Sequence, residues 1–409
     1  MRYLTEDLPG TGGRIKVRPA DFRVEEVPLY RPSGTGDHVY LYVEKEGIGS
    51  LEAAACIARA FGQPRRIVGL AGLKDAHAVT RQWMSLERID ADKAARLDLP
   101  HIRVLEVSRH RNKLKIGHLA GNAFEVRIRG CGPGAKEKAE RVLTVLAQRG
   151  MANGFDRQRF GRRGDNHLLG RALVLGEAKA FCDRFLGSPS KVDSSRFVRA
   201  RRSYDAGNLP GARKLFGGQS DHLRVLSTLI RTGDPKRAMR ALPKQLARLL
   251  VSAFQSSLFN AVLERRLESI DRVEAGDLAY IHPQAGRGGA VFLVECAEDE
   301  APRAARLEIS PSGPIVGHRV VLASGRPGEI ERDVLEEAGV APAHFERVKG
   351  LRLRGDRRPL RVPVADAEVH AVSESSEGPR QGEDLLVRFN LPPGVYATIL
   401  LEEITKSGE

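Results

Sequence analysis

The feature that most limits the fold is a change of hydrophobic period near residue 155. Before it, apolar and polar residues alternate. Arg14–Pro28 (RIKVRPADFRVEEVP) and His38–Lys45 (HVYLYVEK) read as half-buried strands. Ser50 is expected to cap a helix through Phe61, with Leu51, Ala55 and Ala58 on one face and Gly62 ending it. Further strands are expected over Ile67–Ala71, Ile102–Val107, Leu114–Leu119 and Phe124–Arg129, and a helix over Ala135–Arg149, stopped by Gly150. Phe155–Gly164 is an arginine- and glycine-rich turn. From Asn166 to about Leu267 the chain reads as mostly helical, with Leu246, Leu249, Leu250 and Phe254 at helix spacing. Short strand signals return over 277–365, among them Ala290–Val294 and Gly317–Leu322. A polar loop at Glu374–Gly382, a strand at Asp384–Leu391 and a helix at Tyr396–Ile404 complete the pattern. No internal repeat or heptad array is present.

The 409 residues suffice for two or three domains. A content of 41% hydrophobic and 29% charged residues is that of a soluble globular protein. No apolar run is long enough to span a bilayer. MRYLTEDLPG lacks the apolar core of a signal peptide, so a cytoplasmic location is expected. Cys56, Cys131, Cys182 and Cys296 are scattered without a CxxC pair, which points to free thiols rather than a zinc ribbon or disulfide framework. Lys and Arg total 66 against 52 Asp and Glu, a net charge of +14, which favours a polyanionic partner. The basic residues cluster in SRHRNKLK (Ser108–Lys115), RQRFGRR (Arg157–Arg163) and SRFVRARR (Ser195–Arg202). All three, including Arg201 and Arg202, are expected to follow phosphates.

Within this basic chain, Gly69–Trp83 (GLAGLKDAHAVTRQW) places one acid, Asp75, at a strand-to-loop junction beside Lys74. Two readings stand. It is a turn aspartate satisfied by backbone N–H groups, or a placed reactive acid, because burying a carboxylate unpaired is expensive. The segment alone favours the first. Other chemistries lack their motifs: there is no P-loop, GxGxxG, HExxH or GxSxG, and His344-Phe345-Glu346 has no PCxxC to complete a zinc deaminase pattern. No ligand-spaced histidine pair exists.

Six segments in order resemble the TruD family of tRNA pseudouridine synthases. They are Arg18–Glu26 (RPADFRVEE, with Lys16 just before), Ala71–Trp83 (AGLKDAHAVTRQW), Gly121–Phe124 (GNAF), Asn153–Gly161 (NGFDRQRFG), Ala253–Arg265 (AFQSSLFNAVLER) and Pro392–Glu403 (PPGVYATILLEE). The chain departs from the family pattern at Gly154, where an aromatic is more common. Its long Asp193–Lys244 stretch looks like the helical extension of archaeal-type members.

The resemblance implies an α+β fold: a mixed-sheet pseudouridine synthase catalytic domain with an inserted α/β TRUD domain. The expected limits are 1–156 for the first part of the catalytic domain, 157–365 for the insert, with its helical extension at about 193–244, and 366–409 for the return. It implies isomerisation of a tRNA uridine, at position 13, with Asp75 as the catalytic aspartate. Asp75 would attack C1′, or stabilise an electron-poor sugar and help remove the 2′ proton; both routes stay open. Lys74 should point away from Asp75 if the strand alternates, leaving Lys16 or an arginine as its partner. Phe124 is the expected stacking plate for a flipped uracil, and Asn122 would orient Asp75 or read the uracil edge. Arg159 is assigned to substrate binding, with Gln158 and Phe160 supporting the site wall. His77 reads as a turn histidine near the cleft and Trp83 as core. No cofactor, metal or membrane is expected, and the protein is expected to be a monomer with tRNA as its partner. The alternatives are a non-catalytic RNA-binding protein using the same basic cleft, and another base-modifying enzyme such as a methyltransferase, which lacks its cofactor loop.

Overall fold

The computed structural model describes residues 2–218, 220–283, 289–348, 350–372 and 382–407. The expected polar loop at 374–382 lies outside them save for Gly382. The chain divides into two compact units.

One unit comprises Arg2–Ala152 and the residues from Arg361 onward. Its strands are β1 (Phe22–Pro28), β2 (His38–Glu46), β3 (Gly69–Leu70), β4 (Val79–Glu87), β5 (Asp98–Leu99), β6 (Ile102–His110), β7 (Leu119–Cys131) and β8 (Met151–Ala152). The other unit contributes β9 (Leu278–Ile281), β10 (Val291–Leu293), β11 (Ile309–Ile315) and β12 (Asp356–Pro359). The first unit resumes with β13 (Arg361–Val362), β14 (Ala365–Val372) and β15 (Glu383–Leu391). The main sheet has the order β14-β15-β7-β1-β4-β2-β6-β5, with β3 paired to β4. β1 runs parallel to β4 and antiparallel to β7, so the sheet is mixed. β8 and β13 form a separate antiparallel pair.

The sheet forms because its strands alternate in the phase their burial requires. Val39, Leu41, Val43, Met84 and Leu86 pack on Ala53, Ala54 and Ile57 of the helix Ser50–Ala60. Tyr40, Trp83, Leu114 and Leu119 form a second cluster. Two details of the helix differ from expectation. Gly49 is the N-cap, and the Ser50 side chain is buried and bonded elsewhere. Leu51 is 47% exposed, because the apolar face is set by Ala53, Ala54, Ile57 and Ala58.

Leu114–Leu119 is not a strand. The Leu114 N–H donates to Ser85 Oγ at 2.9 Å and the Gly117 N–H to the Ala71 carbonyl at 2.8 Å, which ties the segment down as a turn. β7 instead begins at Leu119 and runs to Cys131, between β1 and β15. A Cβ at Gly121 would stand 2.7 Å from the Leu391 carbonyl oxygen, so only glycine permits this approach to β15.

The other unit comprises Asn153–His282 and Gly289–Leu360. It carries helices at Asn166–Leu175, Ala178–Leu186, Ser195–Asp205, Leu209–Phe216, Asp221–Thr232, Pro235–Arg240 and Lys244–Arg265. An antiparallel sheet of order β10-β9-β11-β12 accompanies them. Lys244–Arg265 is long and apolar enough to cross a membrane by length and composition, contrary to the sequence reading. Its Leu250, Val251, Phe254, Phe259 and Leu263 are buried against protein, as in a core helix. Gly317–Leu322 is a turn rather than a strand: His318 and Arg319 donate to the Leu353 and Arg354 carbonyls.

Candidate active site

The loop between β3 and β4 is held from behind by side chains of four different elements. Lys74 turns inward from it and meets Glu26 of β1 at 2.8 Å; the two side chains are 4% and 1% exposed. Glu26 also accepts the Trp83 N–H at 3.3 Å. Burial pushes the Glu26 carboxyl up, and the Lys74 charge acts against that rise. Ser50, from the helix, accepts the Lys74 N–H at 2.8 Å and donates to Gln82 Oε1 at 2.6 Å. Gln82 of β4 donates to the Gly72 carbonyl at 3.2 Å. Lys45 of β2 donates to the Asp75 carbonyl at 2.9 Å and to the Ile48 carbonyl at 2.7 Å.

The Asp75 carboxylate stays at the surface of this scaffold. Lys16 Nζ donates to its Oδ2 at 2.5 Å, with the side chains 23% and 35% exposed. Oδ1 accepts no hydrogen bond from the described residues. Lys16 has φ 55°, the left-handed region that non-glycine residues seldom occupy. That turn is fixed by contacts at both ends of the residue. Its ammonium lies 4.3 Å from the Phe22 ring centroid, and its carbonyl meets His77 Nε2 at 2.9 Å.

Phe22 continues the set of contacts. Its ring is edge-on to Phe124, centroids 6.1 Å apart, and Phe124 stacks on Phe389 at 5.1 Å and 18°. Phe124 therefore presents little free ring, being 8% exposed. It lines a cavity of about 440 Å³ with Arg23, Arg81, Arg388, Phe389 and Asn390. Arg81 and Arg388 are paired there with Glu44 and Glu125, both at 2.9 Å. Asn122 is half-buried on β7, two residues before Phe124, and its Oδ1 has no hydrogen-bond partner among the described residues. No hydrogen bond, ion pair or ring contact joins Phe124 or Asn122 directly to Asp75 or Lys16 among the described residues.

Arg159, Gln158 and Phe160 belong to the other unit. Arg159 is fixed to the helix Lys244–Arg265 through Ser252 and Ser256, and its guanidinium lies 5.8 Å from the Phe155 ring. Phe160 stands edge-on to His167 at 5.3 Å, and Gln158 is exposed. Arg201, read above as part of a phosphate-tracking surface, is instead 3% exposed. Its guanidinium donates to the Phe185 and Gly187 carbonyls at 2.8 and 2.9 Å and pairs with Asp193, so it is a core arginine; Arg202 beside it is exposed. Among the described residues no group of three or more His, Cys, Asp or Glu is placed to hold a metal ion.

Sequence reasoning passed over Lys45, Gln82 and the Glu26 partner of Lys74, and read Ser50 only as a helix cap. For Lys45 a signal was present, since it falls in the same alternating phase as Val39, Leu41 and Val43.

Residues 1–404 match the family model described as tRNA pseudouridine synthase D (TruD). A tRNA pseudouridine synthase D of Geobacter sulfurreducens is 46% identical over 407 residues, covering 99% of this chain and 97% of the relative. That of Thermus thermophilus is 38% identical, covering 99% and 92%. The crystal structure of a Methanosarcina mazei protein named for the same family superposes with a TM-score of 0.82 at 26% identity, over 99% of this chain and 96% of that one. These likenesses decide between an enzyme and a binding protein: the chain belongs to the tRNA pseudouridine synthase D family and is an isomerase.

Proposed function

We propose that this tRNA pseudouridine synthase acts on uridine 13, with Asp75 working at C1′ of a nucleotide turned out of its stack. One observation carries the reading: Lys16 holds one oxygen of Asp75 at 2.5 Å, while the other accepts nothing from the described residues. The acid is thus oriented by a cation and keeps an oxygen for a substrate.

The reaction breaks the N1–C1′ bond and forms a C5–C1′ bond. N1 gains a proton and C5 loses one, so substrate and product are isomers. A fixed carboxylate can attack C1′, or stabilise the electron-poor sugar and take the 2′ proton. C1′ is reachable only once the base is unstacked. Phe124, backed by Phe389, is proposed to meet the freed uracil, where stacking is worth about 1–3 kcal/mol per base. Asn122 is proposed to read the uracil edge or orient Asp75. Arg159 is assigned to the RNA, with Gln158 and Phe160 supporting it. The strand-rich unit is proposed as the catalytic domain and the other as the inserted domain.

Release of tritium from tRNA labelled at uracil C5 tests this. Asp75→Asn should bind tRNA as the wild type does and release none. Product from the pure variant would sink the role of Asp75. A transcript with cytidine at position 13 should also release nothing; undiminished release would remove the position assignment.

A further inference from the structure

Lys45 is a lysine on the core side of a strand. It is 1% exposed and shares the phase of Val39, Leu41 and Val43. Its strand neighbours in register, Thr80 on β4 and Ile102 on β6, are uncharged. Burying an ammonium is costly, and a methionine would fill the same space without that cost. The buried Lys74 has Glu26 as its counterion. Lys45 has no carboxylate partner among the described residues; it donates to two carbonyls, those of Ile48 and Asp75.

We propose that Lys45 is a positioning residue for Asp75, anchoring its main chain from the core side and placing a positive charge behind a carboxylate that Lys16 holds from the front. The inference rests on the reading of Asp75 given above. The contact acts at the residue that would do the chemistry, so a small slip of the loop is transmitted in full to the carboxylate. Misplacement of a reacting group by about 1 Å costs roughly 10²-fold in rate.

Charge separates this role from plain structural support. Burial pushes the Lys45 ammonium down to about 8; the Asp75 charge holds it up and the Lys74 ammonium presses it lower. Those two face it from the loop, each with its own partner, Lys16 and Glu26. Above that pH the neutral amine can still donate two hydrogen bonds, but the positive charge is gone. The effect on stability has the opposite sign. The folded value lies below the ordinary 10.5, so between about 8 and 10.5 the unfolded chain binds the additional proton, and the contribution of Lys45 to stability rises with pH. Turnover should therefore fall where this contribution to stability rises, which a merely structural lysine would not produce.

Single-turnover pseudouridine formation, tRNA affinity and melting temperature are measured from about pH 7 to about 9.5 for wild type, Lys45→Met and Lys45→Arg. Lys45→Met should slow the reaction roughly 30- to 100-fold near neutral pH with affinity unchanged. The wild-type rate should decline above about pH 8, and Lys45→Arg, which stays charged, should lack that decline. A Lys45→Met rate within about threefold of wild type, well short of the expected loss, overturns the proposal. So does the same alkaline decline in Lys45→Arg. If neither variant folds, the wild type decides alone: a flat rate over that range overturns the proposal, and a falling rate supports it. Wild-type protein that forms no pseudouridine at all overturns the functional reading and this inference together.

Discussion

Lys74 and Asp75 are adjacent in sequence and opposite in fate: one is buried against Glu26, the other is left at the surface with Lys16. Breaking a buried ion pair from one side leaves a charge without compensation, at a cost of about 3–5 kcal/mol. Near neutral pH, Glu26→Gln should destabilise the fold by that order, because the Lys74 ammonium stays buried without its counterion. Lys74→Met should behave differently. The Glu26 carboxyl is already raised by burial, so once alone it can take up a proton and become neutral. An acid with a raised folded pKa adds stability as pH falls through that value, so the Lys74→Met penalty should shrink in acid. Denaturant titrations at two pH values check this; equal Lys74→Met penalties at both would count against proton uptake by Glu26. That Lys74 turns away from Asp75 was legible, although strand alternation was not the reason, since both residues lie in the loop between β3 and β4. Its partner was not, because Glu26 is 48 residues away and only the β1–β4 pairing brings it near.

At the scale of elements, helices and long strands were legible where one period ran unbroken. His38–Glu46, Ala135–Arg149 and Glu383–Leu391 match the sequence reading to within a residue. Leu114–Leu119 and Gly317–Leu322 did not become strands, because short apolar runs carry no period of their own and tertiary hydrogen bonds claimed their backbones. The helices from Ser195 to Arg240 show a further feature invisible in sequence. His222 packs among Phe185, Phe216 and Phe197, with centroids at 4.4, 5.2 and 5.2 Å. Burial, helped by the nearby Arg201 and Arg163 charges, pushes the His222 imidazole down to about 4 from an ordinary 6.5. The depressed value means that the stability held by neutral His222 is full above about 6.5 and is lost as pH falls toward 4. His222→Phe, which keeps a planar ring in the same stack, should reduce the drop in melting temperature between pH 7 and pH 5. An undiminished drop would place the acid sensitivity elsewhere.

For the whole molecule the net charge of +14 is the property that sequence expresses most directly, yet it does not say which cations face solvent. The run Ser195–Arg202 illustrates the difference. Helix periodicity turns Arg201 into the core, where its donors go to main-chain carbonyls, and leaves Arg202 outside. Only an exposed cation can displace counterions from RNA, and removing one such cation from a phosphate lowers the slope of log K against log salt by about one. Arg202→Ala should therefore weaken tRNA binding, flatten its salt dependence by about that amount and leave the folding stability within about 0.5 kcal/mol of wild type. Arg201→Ala should do the reverse, lowering the melting temperature because the Phe185 and Gly187 carbonyls are deprived of their donor and Asp193 of its counterion, with the salt slope of the folded protein unchanged. Binding isotherms at three salt concentrations, paired with thermal melts, separate the two arginines. A flattened slope in Arg201→Ala would mean that the helix turns outward when tRNA binds, whereas an unchanged slope in Arg202→Ala would remove this helix from the RNA-facing surface.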